Sequence, residues 1–233
     1  YEDQGVDAVF VGHPKADSLQ CVSDTSPMRD ALGLDPGLLV AVLPGSRVGE
    51  VQRLGPLFAA AAAQLAQRHE DLRFVSPIAS PKLRPMFAAQ LAEAGVSERF
   101  SLIDGSSIDV MSAADVVLLA SGTAALESAL LGKPTVAAYR VATLSAVILR
   151  TFRLLKSDYF TIPNLLTKEP LIPEFIQQDV TPEAMAEAVG GLLDDPARRE
   201  EIARRFATLR TELALGADDR AADAVISLAT STN

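Results

Sequence analysis

Scarcity narrows the field before any motif does. In 233 residues there is one cysteine, Cys21, and there are two histidines, His13 and His69. A lone cysteine makes neither an intrachain disulfide nor a multi-cysteine metal site, and two histidines leave little for zinc. A reducing compartment and a site with no metal are therefore expected. Basic residues are in the minority, 21 Lys and Arg against 30 Asp and Glu, for a formal charge of -9. This balance argues for no nucleic acid among the partners, because a nucleic-acid footprint is a basic patch on a basic domain. No apolar run can cross a bilayer: the longest, Val116 to Leu131, is cut by Ser121, Gly122, Thr123, Glu127 and Ser128. Also missing are Gly-Lys-Ser or Gly-Lys-Thr and the spaced glycines of a dinucleotide fingerprint, which disfavours P-loop ATPases and NAD enzymes. There is no Asp-x-Asp metal motif; Asp17, Asp104 and Asp115 stand isolated and read as loop or cap residues.

Apolar residues, in contrast, make up 48% of the chain, ample for a core. Strand-like runs at Leu38 to Leu43, Leu72 to Ile78, Phe100 to Ile103, Val116 to Ala120 and Thr135 to Ala138 alternate with helical stretches. The latter are Leu54 to Arg68, Lys82 to Glu93, Ile108 to Ala113 and Thr123 to Leu131. This alternation predicts an α/β, Rossmann-like parallel sheet with helices on both faces, whose ligands sit beyond the carboxyl ends of the strands. From Thr181 onward the chain reads as C-terminal helices, the last spanning Asp218 to Ala229.

Two strand-to-helix turns fall where such a ligand would bind. The first is Leu43-Pro44-Gly45-Ser46-Arg47-Val48-Gly49-Glu50 and the second Ser121-Gly122-Thr123-Ala124-Ala125-Leu126-Glu127. A helix N-terminus presents unpaired N–H groups and the positive end of its dipole, and small residues there let a phosphate approach closely. Arg47 adds a planar fork suited to phosphate oxygens. Glu127, on the helix face of Thr123, can accept hydrogen bonds from both hydroxyls of a ribose. Phosphate at one turn and ribose at the other is the expectation. The plainer alternative makes Ser46 and Ser121 helix caps and leaves Arg47 and Glu127 in solvent. The loop Ile103-Asp104-Gly105-Ser106-Ser107 lies at another strand end and is expected to border the nucleobase.

Arg140 to Lys156 has apolar residues at helical spacing, Leu144, Val147, Ile148, Phe152 and Leu155, with Arg150 and Arg153 on another face. It reads as a core-facing helix, or as a basic helix against an anionic membrane surface. Tyr159 to Leu166 reads as an extended segment ending in a proline-restricted turn. His13, at the end of the strand-like Val9-Phe10-Val11, is a hinge or packing residue, with a cleft acid/base role as the alternative. His69 reads as solvated.

Phe10-Val11-Gly12-His13-Pro14, Leu43 to Val51, Leu119 to Glu127 and Pro163-Asn164-Leu165-Leu166 together resemble the lipid-A-disaccharide synthase family, in order and spacing along nearly the whole chain. The resemblance is to the C-terminal, UDP-sugar-binding part of those GT-B glycosyltransferases. It implies transfer of 2,3-diacylglucosamine from UDP to 2,3-diacylglucosamine 1-phosphate, giving a β-1,6 disaccharide and UDP without a metal. By that resemblance Gly45, Ser46 and Arg47 lie at the diphosphate. Ser121, Gly122 and Thr123 supply donors, Glu127 holds the ribose, and Asn164 and Gln177 face the donor sugar or phosphates. It divides the chain into 1–20, the end of an N-terminal domain and hinge; 21–180, the UDP-sugar-binding domain; and 181–233, C-terminal helices. The last of these would pack on that N-terminal domain through Ala224, Val225 and Leu228. The chain, which opens on Tyr1, is expected to continue a longer protein that supplies the general base and acceptor site, and to be inactive alone. The implied partners are UDP-diacylglucosamine, the acylated glucosamine 1-phosphate acceptor and an anionic membrane surface, with a homo-oligomer left open. The implied place is cytoplasmic, peripheral to the inner membrane of a Gram-negative bacterium. A related UDP-sugar epimerase or glucosaminyltransferase, and a non-catalytic UDP-binding module, stay open as alternatives.

Overall fold

The computed structural model describes residues 8–120, 122–140 and 159–231. Ser121 and most of the basic segment Arg140 to Lys156 therefore lie outside the described residues.

Six parallel strands form one sheet: β1 (Leu39–Leu43), β2 (Arg73–Ile78), β3 (Phe100–Asp104), β4 (Val116–Ala120), β5 (Thr135–Tyr139) and β6 (Glu174–Ile176). Their order is β3-β2-β1-β4-β5-β6, that of a doubly wound nucleotide-binding sheet. The chain reverses direction across the sheet between β1 and β4, which pair in register from Val40 on Val116 to Leu43 on Leu119. Every residue of β1 is buried, as are Val116 to Leu119 of β4. Parallel strands covered by helices on both faces need such unbroken apolar runs.

The covering helices are α1 (Pro14–Ser18), α2 (Ser26–Leu32), α3 (Val48–Arg68), α4 (Leu83–Glu93), α5 (Ser107–Ala113), α6 (Thr123–Leu130) and α7 (Ile162–Thr167). Three more close the chain: α8 (Pro182–Asp194), α9 (Pro196–Leu213) and α10 (Ala217–Ser231). One large core takes in the inner strands, Phe58 and Leu65 of α3 and Met185 and Val189 of α8. Ala16, Leu126, Leu130, Leu209 and Leu213 form a second cluster, which binds α1 and α9 to α6. Phe100 stacks on Phe74 at 4.8 Å and meets Phe87 edge-on at 5.9 Å, sealing the β3 edge.

Several sequence expectations need correction. Val9 to Val11 is not a strand, and Val9 and Phe10 are 72% and 63% exposed. Helix α3 begins at Val48, well before Leu54: its first turns are polar and carry Gly49, Gly55 and Pro56, which disguise the helical period. Ser46 is not a side-chain cap, because the cap position belongs to Arg47. Of Tyr159 to Leu166, expected to be extended, the part from Ile162 on is helical, in α7, and Pro163 sits in the first turn, where proline costs no hydrogen bond. Strand β6 carries no clear strand signal in sequence, because it is short and holds Glu174 in place of an apolar run.

Candidate functional site

The two turns open side by side because β1 and β4 are neighbours. A cleft of about 500 Å³ at the strand ends is lined by Gly45, Ser46, Arg47 and Glu50 from the first turn. Gly122, Thr123, Ala124 and Glu127 line it from the second. Pro77, Ala79, Gly105 and Ser107 close the far side, so the loop after β3 does border the cleft. The size suits a nucleotide-sized ligand.

Each turn exposes backbone to this space. Gly45 has φ +126°, and a Cβ there would stand 2.5 Å from Glu50 Cβ, so only glycine fits. A Cβ at Gly122 would meet nothing within 4 Å, leaving the start of α6 open to the cleft. The positive ends of the α3 and α6 dipoles thus converge on one volume.

The charged side chains are already engaged. Glu50 Oε2 accepts from Ser46 N at 2.9 Å and Arg47 N at 3.2 Å, while Oε1 takes Arg47 Nη1 at 3.0 Å. Lys15 Nζ lies 3.0 Å from Glu127 Oε1. Sequence reasoning assigned no role to Glu50 or Lys15. The signal for Glu50 was its place at the third residue of a helix, where a carboxylate turns back on the cap N–H. Nothing local pointed to Lys15.

Three other expected residues lie elsewhere. His13 is the cap of α1: its Nδ1 accepts from Lys15 N at 3.1 Å, which leaves the ring proton on Nε2. Gly12, at φ +93°, brings this turn against α9, with His13 N donating to Leu213 O at 2.9 Å. Asn164 is fully buried. Its Nδ2 donates to Ile172 O and to Glu174 Oε1, both at 2.8 Å, and its Oδ1 accepts from Ile172 N at 2.9 Å. Glu174 also accepts from Phe160 N, Thr161 N and Thr161 Oγ1, so it gathers the start of α7 onto β6. Gln177 follows β6 with φ +55°, an uncommon conformation for a residue with a Cβ. Neither Asn164 nor Gln177 is among the described residues lining the cleft. His69 is partly buried, with Nε2 3.8 Å from Asp194 Oδ1, and is not freely solvated.

Among the described residues, no group of three or more His, Cys, Asp or Glu side chains is placed to hold a metal ion, and no helix is long and apolar enough to cross a membrane.

The sheet order and a cleft at the switch between β1 and β4 define a Rossmann-like α/β domain with its ligand site at the strand ends. Solved glycosyltransferases share this fold. WaaG, a glycosyltransferase involved in lipopolysaccharide biosynthesis, superposes with a TM-score of 0.62 at 17% identity, over 91% of this chain and 53% of that one. The C-terminal domain of a glycosyl transferase group 1 family protein from Francisella tularensis gives 0.59 at 15%, over 84% of this chain and 96% of that domain. In sequence, residues 1–227 match the lipid-A-disaccharide synthetase family, and the chain belongs to that family. It is 45% identical over 232 residues to the lipid-A-disaccharide synthase of Alkalilimnicola ehrlichii, covering 98% of this chain and 60% of that protein. The chain thus spans about three fifths of the length of this relative.

Proposed function

We propose that this chain is the donor-binding part of an inverting glycosyltransferase that moves 2,3-diacylglucosamine from UDP to 2,3-diacylglucosamine 1-phosphate, forming the β-1,6 disaccharide of lipid A. One observation carries the reading: adjacent strands bring Gly45 to Arg47 and Gly122 to Glu127 to a single cleft. The diphosphate would lie between the N-termini of α3 and α6, with Arg47 beside it. As the bond to the anomeric carbon breaks, negative charge grows on UDP, and two preset helix ends and a guanidinium stabilise it with no metal required. Glu127 would hold the ribose, and the loop after β3 the base. The general base and the acceptor would come from the part of the relatives' length that this chain does not span. On this division, residues 1–20 are the end of the N-terminal domain and the hinge, 21–180 the donor domain and 181–233 the C-terminal helices. The exposed strip Val225, Ile226 and Leu228 of α10 would pack on the rest of the enzyme.

A titration of UDP, GDP and ADP with and without EDTA tests the donor site. UDP should bind preferentially, with unchanged affinity in EDTA; equal binding of the three, or loss in EDTA, would overturn the reading. We also place the enzyme against the inner membrane through the basic segment Arg140 to Lys156. Binding to anionic vesicles that persists at high salt, or that ignores Gln at Arg150, Arg153 and Lys156, would refute this placement.

A further inference from the structure

The carboxylate of Glu50 occupies donors of the first turn, the same ones that the proposed function gives to a diphosphate. It is the third residue of α3, and its side chain turns back through the tight space over Gly45, where a Cβ would stand 2.8 Å from Glu50 Oε2. There it takes Ser46 N and Arg47 N on one oxygen and the Arg47 guanidinium on the other. Arg47 is 83% exposed and Glu50 29%, so the carboxylate is the inner member of the pair, with the guanidinium over it on the solvent side. All of Gly45, Ser46, Arg47 and Glu50 line the cleft. Two anions cannot share these N–H groups: the ligand's charge would repel the carboxylate across a hydrogen-bond length, and each donor has a single proton to give.

We infer that Glu50 is a built-in competitor for the diphosphate, a carboxylate gate that seals the cradle when it is empty, withdraws as the donor enters and returns as UDP leaves. This rests on the donor-site reading above. A gate of this kind keeps the cap of α3 satisfied in the free protein and lowers affinity for diphosphate-bearing ligands alone. Both donor and product UDP would be held less tightly, while contacts to base and ribose are untouched. The same carboxylate also selects against smaller anions, because only a ligand anchored elsewhere in the cleft can displace an acceptor tethered to the helix.

The test is calorimetric titration of UDP and uridine into the full chain, its Glu50→Gln and Glu50→Ala variants, and Glu200→Gln as a net-charge control on the exposed side of α9. A gate predicts UDP binding about three- to tenfold tighter in Glu50→Gln and at least as tight in Glu50→Ala, the size expected for freeing charge-assisted hydrogen bonds that a neutral amide replaces only in part. Uridine affinity and the control should not change. Melting temperature should stay level or fall, since a cap is weakened while the ligand gains. A purely structural Glu50 predicts the opposite sign for UDP. Weaker or unaltered UDP binding in both variants, with the parent still preferring UDP to uridine, overturns the gate and leaves the donor site standing. UDP no better than uridine in all proteins overturns the donor reading and the gate together.

Discussion

Lys15 Nζ lies 3.0 Å from Glu127 Oε1, and so helix α1 reaches the wall of the cleft. One carboxylate oxygen is taken by the lysine, and on the proposed reading the carboxylate also accepts from the ribose. The lysine is half exposed, so the pair itself contributes little, whereas a buried ribose contact contributes more. Glu127→Ala should weaken both UDP and uridine by about 1.5 to 3 kcal/mol. Lys15→Ala should change either by less than about 1 kcal/mol. Equal uridine affinity in the parent and Glu127→Ala would remove the ribose role.

Arg47 separates from Glu127 by ligand. On the proposed reading its guanidinium serves the diphosphate, so Arg47→Ala should cost UDP about 1.5 to 3 kcal/mol and leave uridine unaltered. Lys at this position should restore only part, because an ammonium lacks the planar fork. A matched loss for uridine would place Arg47 at the nucleoside instead.

Asn164 supports the fold around the edge strand. Its amide makes three hydrogen bonds with Ile172 and Glu174 in a fully buried position. Asn164→Ala orphans the Ile172 N–H and C=O, at about 1 to 3 kcal/mol each, and should lower the melting temperature by several degrees, while Glu174 keeps its bonds from Phe160 and Thr161. UDP affinity of the folded protein should hold at low temperature. A large affinity loss without destabilisation would return Asn164 to the donor site.

Asp17 joins α1 to the last helix. Its carboxylate accepts from Ala217 N at 2.7 Å and Gly216 N at 2.9 Å. These backbone bonds hold it below the ordinary carboxylate value. A depressed folded value means its contribution is complete above the unfolded value near 3.8 and is lost as pH falls through the lower folded one. Hydrogen exchange at the start of α10 should therefore accelerate only in acid, below about pH 4, and Asp17→Asn should show faster exchange already at neutral pH. An unchanged rate in that variant would show that Asp17 does not anchor α10.

Lys133 is 4% exposed, and Nζ donates to Ala114 O at 3.0 Å. Burial is the main cause that lowers it to about 8; Asp115 opposes the shift and Arg29 adds to it. Between that value and the unfolded one near 10.5 the unfolded chain binds more protons, so stability should rise with pH across this window. The slope should approach about 1.4 kcal/mol per pH unit at most. Denaturant unfolding from pH 8 to 10 should show the rise, and Lys133→Met should flatten it. An equal rise in both proteins would assign it to other groups.

The alternation of strand and helix was legible in sequence because a strand covered on both faces must be apolar throughout. Val116 to Ala120 accordingly matched residue for residue, and the other four runs fell within a residue or so. The two turns were legible for a similar reason: glycine and small residues at the start of a helix are a local requirement of the backbone. Their meeting in one cleft depended on β1 and β4 being neighbours, which follows from how the sheet is wound and not from either segment. Side-chain engagement was decided later still. That Glu50 turns back on Ser46, that Lys15 reaches Glu127, and that Asn164 is consumed by Ile172 and Glu174 depends on a rotamer or a partner distant along the chain. Local pattern determines which elements form, because each residue's backbone preference and burial are set nearby. Packing alone determines which polar groups face one another, because those pairs exist only once the layers are assembled.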